Sequence, residues 1–219
     1  ENKDMIVNML YVRSSLERAN ESRREMEAVN VKLLKQSETD QMTGLANRYR
    51  LNAYSEKVLD YCYEHRLPLA MEILDIDFFK QYNDNYGHQQ GDECIIAIAN
   101  ELKKMEDGQT FCARYGGDEF IIIYAGISAE EVHAKAGALR QNIMNLKLEH
   151  LYSKALPIVT ISQGISYGVP EEGNRSWDFL HTADMLLYQV KKRSRNDICI
   201  ADIRGQELDL SSKQEKVEP

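Results

Sequence analysis

The sequence lacks long apolar runs, paired cysteines and an excess of positive charge. Its apolar stretches, such as Phe120 to Tyr124, are far shorter than the ~20 residues of a membrane helix. Four of its 219 residues are cysteines and none forms a Cys-x-x-Cys pair, so we expect reduced thiols in a cytosolic core rather than disulfides, a metal site or a redox site. Lys and Arg number 27 against 35 Asp and Glu, a net charge of −8, which disfavours nucleic-acid binding through a general positive field.

The overall composition is that of an ordinary globular protein. Hydrophobic residues make up 43% and charged residues 28%, which is enough apolar material for a hydrophobic core. The sequence begins with Glu1 and shows no basic segment followed by an apolar run. We therefore expect a fragment without a signal peptide.

Residues 1–38 contain neither glycine nor proline. Positions alternately four and three apart form a heptad seam: Met5, Met9, Val12, Leu16, Ala19, Arg23, Met26, Asn30 and Leu33. Such a seam is typical of a helix that pairs with a copy of itself, while its two polar positions weaken it and would fix its register. A single amphipathic helix docked on the following domain is the alternative. We interpret residues 1–38 as a signalling helix that forms a coiled coil.

From residue 39 the pattern changes to alternating strands and helices, which indicates one α/β domain over residues 39–203. The predicted helices cover residues 46–64, 78–84, 88–106, 128–146 and 176–193. The predicted strands cover residues 69–76, 110–115, 119–125, 158–167 and 197–201, and the second and third of them should form a tight hairpin. Residues 204–219 are polar and poor in apolar side chains, so we predict a frayed tail.

Two carboxylates, Asp75 and Asp77, follow the first apolar strand as it leaves the core. Alternation places them on the same side, and a hard cation such as Mg²⁺ prefers carboxylate oxygens, with a backbone carbonyl such as that of Ile76 as a further ligand. Alternatively, either aspartate caps the short helix that begins near Phe78. This segment alone leaves both interpretations open.

A second acidic pair, Asp118 and Glu119, directly follows Gly116 and Gly117. The glycines accept the positive φ of a primed turn and let a ligand approach the backbone. If this hairpin lies beside the strand that ends at Asp75, the carboxylates converge on shared metal ions, as in two-metal phosphoryl transfer. A solvated hairpin tip is the alternative.

This second segment resembles the motif that names the GGDEF family of diguanylate cyclases. The stretch from Asp40 to Arg48 resembles the family motif Asp-x-Leu-Thr-Gly-Leu-x-Asn-Arg, with Met42 as the one departure. The stretch from Asp75 to Asp92 is similar to the family's metal and nucleotide segment, and Ala183 to Asn196 resembles its last helix. The matches keep their order over about residues 39–202.

The resemblance implies a palm-like α+β fold with a mainly antiparallel sheet flanked by helices. It implies a nucleotidyltransferase that condenses two GTP molecules into cyclic di-GMP and two pyrophosphates, as a metal-dependent homodimer in bacterial signalling. The resemblance further implies two Mg²⁺ or Mn²⁺ ions per active site and a sensor domain upstream of this segment. The expected location is the cytoplasm, free or as the cytoplasmic part of a membrane-bound sensor, with neither nucleic acid nor membrane bound by this segment.

The resemblance also assigns roles to individual residues. The catalytic and metal-binding set is Asp75, Asp118 and Glu119, with the carbonyl of Ile76. Guanine recognition is implied for Asn83 and Asp92, since an aspartate accepts from both the N1–H and the exocyclic amine of that base. The other substrate contacts are Gly116, Gly117 and the triphosphate-binding set of Phe78, Phe79, Lys80, Lys191 and Arg195. For Lys191 to Arg195 alone, a solvated basic helix end is the alternative.

One family feature is missing. Many members carry an Arg-x-x-Asp motif, separated from the glycine pair by five residues, that forms a product-binding inhibitory site. At the corresponding positions this sequence has Asp107-Gly108-Gln109-Thr110. Asp107 offers no donor fork and repels the product's phosphates, so we expect no inhibition through that site.

Two other functions stay open. One is a catalytically silent domain that binds GTP or a partner as a scaffold, against which the intact Asp75, Asp118, Glu119 and Lys191 argue. The other is a cyclase with altered base choice, for which Asp92 is the discriminating position.

Overall fold

The computed structural model describes residues 13–27, 29, 33 and 38–208. The chain divides into two compact units, Glu1–Glu38 and Thr39–Pro219. In the first unit the described residues 13–27, 29 and 33 are helical and form α1. The heptad positions Leu16, Met26 and Leu33 are exposed, whereas Met5, Met9, Val12 and Asn30 lie outside the described residues. Pairing of this helix stays a prediction.

The second unit contains the ten elements that the periodicity predicts. The helices are α2 (Arg48–His65), α3 (Phe79–Tyr86), α4 (His88–Met105), α5 (Ala129–Asn145) and α6 (Ser176–Arg193). The strands are β1 (Leu69–Ile76), β2 (Thr110–Gly116), β3 (Glu119–Ala125), β4 (Ile161–Gly168) and β5 (Ile198–Asp202). The fourth strand begins later than predicted because Ile158 forms an isolated bridge with Glu149 instead. None of the described helices combines the length and apolar character that a membrane span requires.

The strands form one five-stranded sheet in the order β2-β3-β1-β4-β5. Every neighbouring pair is antiparallel except β4 and β5, which are parallel. Helices cover both faces: α4 and α5 pack over one core, and α2 and α6 pack over the other. The predicted palm-like α+β fold is therefore confirmed. Strand β1 is central and buried along its whole length, so its end lies beside β3, β4 and both helical layers.

Helix α6 lies unusually close to the sheet at one residue of β4. A Cβ atom on Gly164 would lie 2.2 Å from the carbonyl oxygen of Ala183 and 2.3 Å from the amide nitrogen of Leu187. Only glycine permits this backbone-to-backbone approach. The contact fixes the distance between α6 and the sheet, and with it the position of the basic end of α6 over the end of β1.

The predicted frayed tail is wrong for its first residues. Residues 204–208 turn back along β5, where Glu207 bridges to Ala201 and the Leu208 amide donates to the carbonyl of Ile200 at 3.1 Å. Leu208 packs against the core beneath α4 and α5, and Arg193 pairs with Glu207. One apolar side chain and one ion pair thus anchor a segment whose composition is polar. Residues 209–219 lie outside the described residues.

Candidate active site

The acidic hairpin lies directly beside the end of β1. Asp75 stands opposite Glu119 in the antiparallel register of β1 and β3. Gly116 pairs with Glu119 across the hairpin, so the connection is a two-residue turn of Gly117 and Asp118. Gly117 has a φ of 54°, a conformation that glycine adopts without steric cost. The predicted hairpin is confirmed, and its turn brings Asp118 close to Asp75.

The carboxylates at this sheet end carry more negative charge than the neighbouring cation neutralises. Burial is the main cause that raises the pKa of Asp75 to about 6; within that value Lys191 lowers the pKa, and the charges of Asp118 and Glu119 raise it. The Lys191 ammonium lies 2.8 Å from the Asp75 carboxylate. Burial also raises the pKa of Glu119, with contributions from Asp118 and Asp184. Such a crowded set of carboxylates favours a bound cation.

The donor chemistry of this cluster suits a hard divalent cation. Asp75, Asp118 and the carbonyl of Ile76 supply oxygen ligands, which Mg²⁺ and Mn²⁺ prefer over nitrogen or sulfur. Within the described residues no group of three or more His, Cys, Asp or Glu side chains is arranged to hold a metal by itself. Mg²⁺ is usually bound through one or two carboxylates together with substrate phosphates and water, so the protein donors fit an ion that arrives with a nucleotide.

Asp77 has a structural role instead. It is fully buried and accepts hydrogen bonds from the hydroxyls of Thr160 and Ser162 at 2.8 and 2.7 Å and from the Asn196 amide at 2.9 Å. Helix α3 has Phe78 at its N-cap and no side-chain cap. The capping interpretation is therefore wrong for both aspartates. Asp77 ties the end of β1 to β4 and to the turn after α6.

The turn between β1 and α3 holds a strained residue. Phe78 has φ 57° and ψ 31°, the left-handed conformation, which a bulky side chain rarely adopts. The guanidinium of Arg195 stacks on its ring at 4.3 Å and also lies 3.5 Å from Asp77. Phe79 is buried at the start of α3, and Lys80 is exposed one residue later. The first amides of α3 have no acceptor within the helix, so this turn can bind an anion.

The residues implied in base recognition meet where α3 packs on α4. The Oδ1 atom of Asn83 is buried and accepts no hydrogen bond from any described residue. A Cβ atom on Gly91 would lie 1.8 Å from that oxygen, so the glycine creates the space that Asn83 occupies. Asp92 follows Gly91 on α4 and is exposed. Sequence reasoning missed Gly91, although a glycine inside a helical pattern is a signal of close packing.

Two basic residues at the end of α6 and in the turn after it contact other side chains of the protein. Lys191, whose side chain is 27% exposed, pairs with Asp75, and Arg195 contacts Asp77 and Phe78. The solvated-helix-end alternative is therefore wrong for these two residues.

His150 is a second residue that sequence reasoning missed. It is fully buried in the loop between α5 and β4, and its Nε2 atom lies 3.1 Å from the carbonyl oxygen of Phe78. The two residues are 72 positions apart in the chain, and no local pattern predicts that contact.

At the position of the missing inhibitory motif, an internal ion pair is present. The Lys135 ammonium on α5 donates to Asp107 at 2.8 Å and to the Thr110 hydroxyl at 3.1 Å. The hydrogen bond from Lys135 holds the pKa of Asp107 at about 2. The carboxylate is thus charged and the nearest ammonium is engaged with it.

Comparison with known proteins gives consistent matches for this geometry. The family described as "Diguanylate cyclase, GGDEF domain" matches residues 37–197. Probable diguanylate cyclase DgcC of Escherichia coli (strain K12) is 35% identical over 163 residues, which are 73% of this chain and 42% of that protein. Diguanylate cyclase DgcP of Pseudomonas aeruginosa is 33% identical over 190 residues, which are 85% of this chain and 28% of that protein. The chain therefore spans less than half the length of these relatives.

Solved structures show the same fold. The coiled coil and GGDEF domain of DgcB from Caulobacter crescentus, in complex with c-di-GMP, superposes with a TM-score of 0.69 at 28% identity, covering 84% of this chain and 97% of that one. The active GGEEF domain of a diguanylate cyclase from Vibrio cholerae gives a TM-score of 0.61 at 30% identity, covering 71% and 97%. With an acidic hairpin beside the central strand and a family match over most of its length, this chain belongs to the GGDEF-domain family of diguanylate cyclases.

Proposed function

We propose that the protein condenses two GTP molecules into cyclic di-GMP and releases two pyrophosphates. The observation that carries the proposal is the set of carboxylates at the end of β1, where Asp75, Asp118 and Glu119 crowd around one ammonium, that of Lys191. A phosphoryl-transfer site requires such a set because its negative substrate is held through cations.

Two Mg²⁺ or Mn²⁺ ions per active site are part of the proposal. Asp75, Asp118 and the Ile76 carbonyl would hold them, with Glu119 at the edge of the same cluster. When bound, the ions lower the pKa of the attacking hydroxyl and neutralise the departing pyrophosphate.

The triphosphate is bound where α3 begins. Amides of Phe78 and Phe79 donate to phosphate oxygens, and the exposed Lys80 ammonium adds positive charge. Lys191 and Arg195 approach from the end of α6, so cations from two elements offset the charge of the nucleotide on a protein with net charge −8. Gly116 and Gly117 leave the hairpin backbone open to the nucleotide.

The guanine base is recognised between α3 and α4. The buried Asn83 oxygen has no donor among the described residues, and guanine supplies one through its N1–H or its amine. Asp92 accepts the other donor. Adenine lacks this pair of donors, so this geometry supports GTP over an altered base choice.

The reaction requires two protomers, each holding one GTP. The 3′-hydroxyl oxygen of one nucleotide forms a bond to the α-phosphorus of the other, the bond from that phosphorus to the pyrophosphate oxygen breaks, and the hydroxyl proton is lost. Repetition in the other direction closes the ring. Helix α1 supports pairing through its heptad seam, and an upstream sensor domain in a cytoplasmic signalling protein would act through that helix.

The test is incubation of the protein with GTP and Mg²⁺, followed by chromatographic separation of the nucleotides. We expect cyclic di-GMP from GTP and no cyclic product from ATP. Asp118→Asn should reduce the rate by about two orders of magnitude or more, because it removes one formal negative charge from the site proposed to hold two divalent cations, while the melting temperature changes little. Asp184→Asn is the matched control, since Asp184 lies near Glu119 but is not a proposed ligand. Wild-type yield from Asp118→Asn would remove that residue from the site.

A further inference from the structure

Phe78 adopts a backbone conformation that its own side chain disfavours. Its φ of 57° lies in the left-handed region, where a bulky residue costs free energy and persists only when its surroundings hold it. This conformation sets the direction of the amides at the start of α3. A contact that holds Phe78 therefore also orients the proposed phosphate-binding amides.

His150 makes such a contact through a single hydrogen bond. A carbonyl can only accept, so the Nε2 atom at 3.1 Å from the Phe78 oxygen carries the hydrogen. Burial lowers the pKa of His150, and its Nδ1 atom has no hydrogen-bond partner among the described residues. Within the part of the chain that the structure describes, the same Phe78 oxygen accepts one other hydrogen bond, from the amide of Tyr82 in the first turn of α3 at 3.0 Å.

The loop that carries His150 is itself anchored on α3. The hydroxyl of Tyr86 accepts from the Leu151 amide at 3.0 Å, and the His150 amide donates to the carbonyl of Pro157 at 3.0 Å. The ring of Tyr82 meets the imidazole edge-on at 5.1 Å. These contacts fix the imidazole independently of its bond to Phe78, so the ring acts as a rigid donor.

We propose that His150 is a positioning residue for substrate phosphate, acting through the carbonyl of Phe78. It holds Phe78 in the left-handed conformation and so keeps the α3 amides directed at the triphosphate. The inference rests on the proposed function, because it takes the turn between β1 and α3 as the phosphate-binding turn.

A pair of variants of similar shape tests the role. His150→Gln keeps an N–H group at the end of a side chain of similar reach, whereas His150→Met keeps the reach and removes the donor. Tyr86→Phe is the matched control, because it releases the Leu151 amide from the same loop and leaves the bond to Phe78 in place. For each variant we would measure kcat and KM for GTP, the Kd of α,β-methylene-GTP in Mg²⁺ by calorimetry, and the melting temperature.

We expect His150→Met to raise KM and Kd by about tenfold, the equivalent of about 1.4 kcal/mol, with kcat nearly unchanged because the contact acts equally on bound substrate and transition state. His150→Gln should restore most of the affinity, and Tyr86→Phe should leave both constants near those of the wild type. An unchanged Kd in a folded His150→Met variant would overturn the inference. Equal losses in all three variants would overturn it as well, since loop packing would then explain the effect.

The analogue binding separates this inference from the proposed function. If the wild type binds the analogue but forms no cyclic di-GMP from GTP, the proposed reaction fails, while the comparison of Kd values still decides the role of His150.

Discussion

At the scale of single residues, the carboxylates at the end of β1 outnumber the ammonium that faces them. The Asp75 carboxylate is buried near other carboxylates, and among the described residues the cation paired with it is the ammonium of Lys191. Removing the Lys191 ammonium from this pair would leave the buried charge of Asp75 without a compensating cation. A nearby buried aspartate, Asp77, shows the contrast, because hydrogen bonds from the protein itself satisfy it.

Another buried acid, Glu72 in the middle of β1, gives the protein a pH-dependent stability. Burial raises the pKa of its carboxyl from 4.5 to about 8, although the Tyr124 hydroxyl donates to it at 2.8 Å. Between these values the folded protein retains a proton that the unfolded chain has lost. The contribution of Glu72 to stability is therefore greatest below pH 4.5 and declines as the pH rises towards 8.

We predict that Glu72→Gln flattens the dependence of the unfolding free energy on pH in that window, by up to about 1.4 kcal/mol per pH unit. Denaturant titrations at several pH values between 4.5 and 8 would measure the change in slope. Tyr124→Phe, which removes the hydroxyl and keeps the carboxyl, should retain the wild-type slope. Parallel curves for wild type and Glu72→Gln would show that Glu72 does not titrate in this range.

At the scale of secondary-structure elements, the site depends on how closely neighbouring elements approach. Gly164 lets the backbone of α6 lie against β4, and Gly91 lets the side chain of Asn83 fit between α3 and α4. Each glycine lies inside a regular element, where its cost in conformational entropy requires a packing reason. The two close contacts set the positions of Lys191 and Asn83 respectively.

We predict that Gly91→Ala raises KM for GTP by about tenfold, the equivalent of one lost hydrogen bond, because the new methyl group displaces the Asn83 oxygen from its pocket. The rate at saturating GTP should change much less. Gly137→Ala on α5 is the control, since a Cβ there meets no atom within 4 Å and should be neutral or slightly stabilising. If Gly91→Ala binds GTP as the wild type does, Asn83 does not contribute to base recognition.

The ion pair between Asp107 and Lys135 joins the approach to β2 with α5. Because the carboxylate is already satisfied by Lys135 and repels phosphate, we predict that cyclic di-GMP does not inhibit through this position. Weak competition at the active site should be relieved by raising GTP. Initial rates against product concentration at two GTP levels would show the difference, and potent inhibition that GTP cannot relieve would contradict the prediction.

At the scale of the whole molecule, the chain forms two compact units. The unit Thr39–Pro219 contains the sheet, the two large hydrophobic cores on its faces and the proposed site. The described heptad residues of α1, among them Leu16 and Met26, are exposed in the single chain. Their burial in a pair of helices would supply the association that a reaction between two loaded protomers requires.

We predict that specific activity rises with protein concentration, because product forms only between two protomers. The double substitution Leu16→Glu and Met26→Glu should lower specific activity in dilute protein, since charges in the seam oppose pairing. Ser14→Glu, which lies outside the seam, is the control and should behave as the wild type. Constant specific activity in all three proteins across the dilution range would show that α1 does not control assembly.

Local information in the sequence determined the ten elements, the glycine hairpin and the two acidic segments, because apolar periodicity and turn chemistry act over a few residues. Only the tertiary structure decided which of those acids are available to a ligand. It paired Asp75 with Lys191, enclosed Asp77 among hydroxyls, and brought His150 to Phe78 across 72 positions. It also anchored Leu208, whose polar neighbours predict a frayed tail. Such contacts depend on how elements distant in the sequence pack against each other. The local sequence around each residue therefore does not predict them.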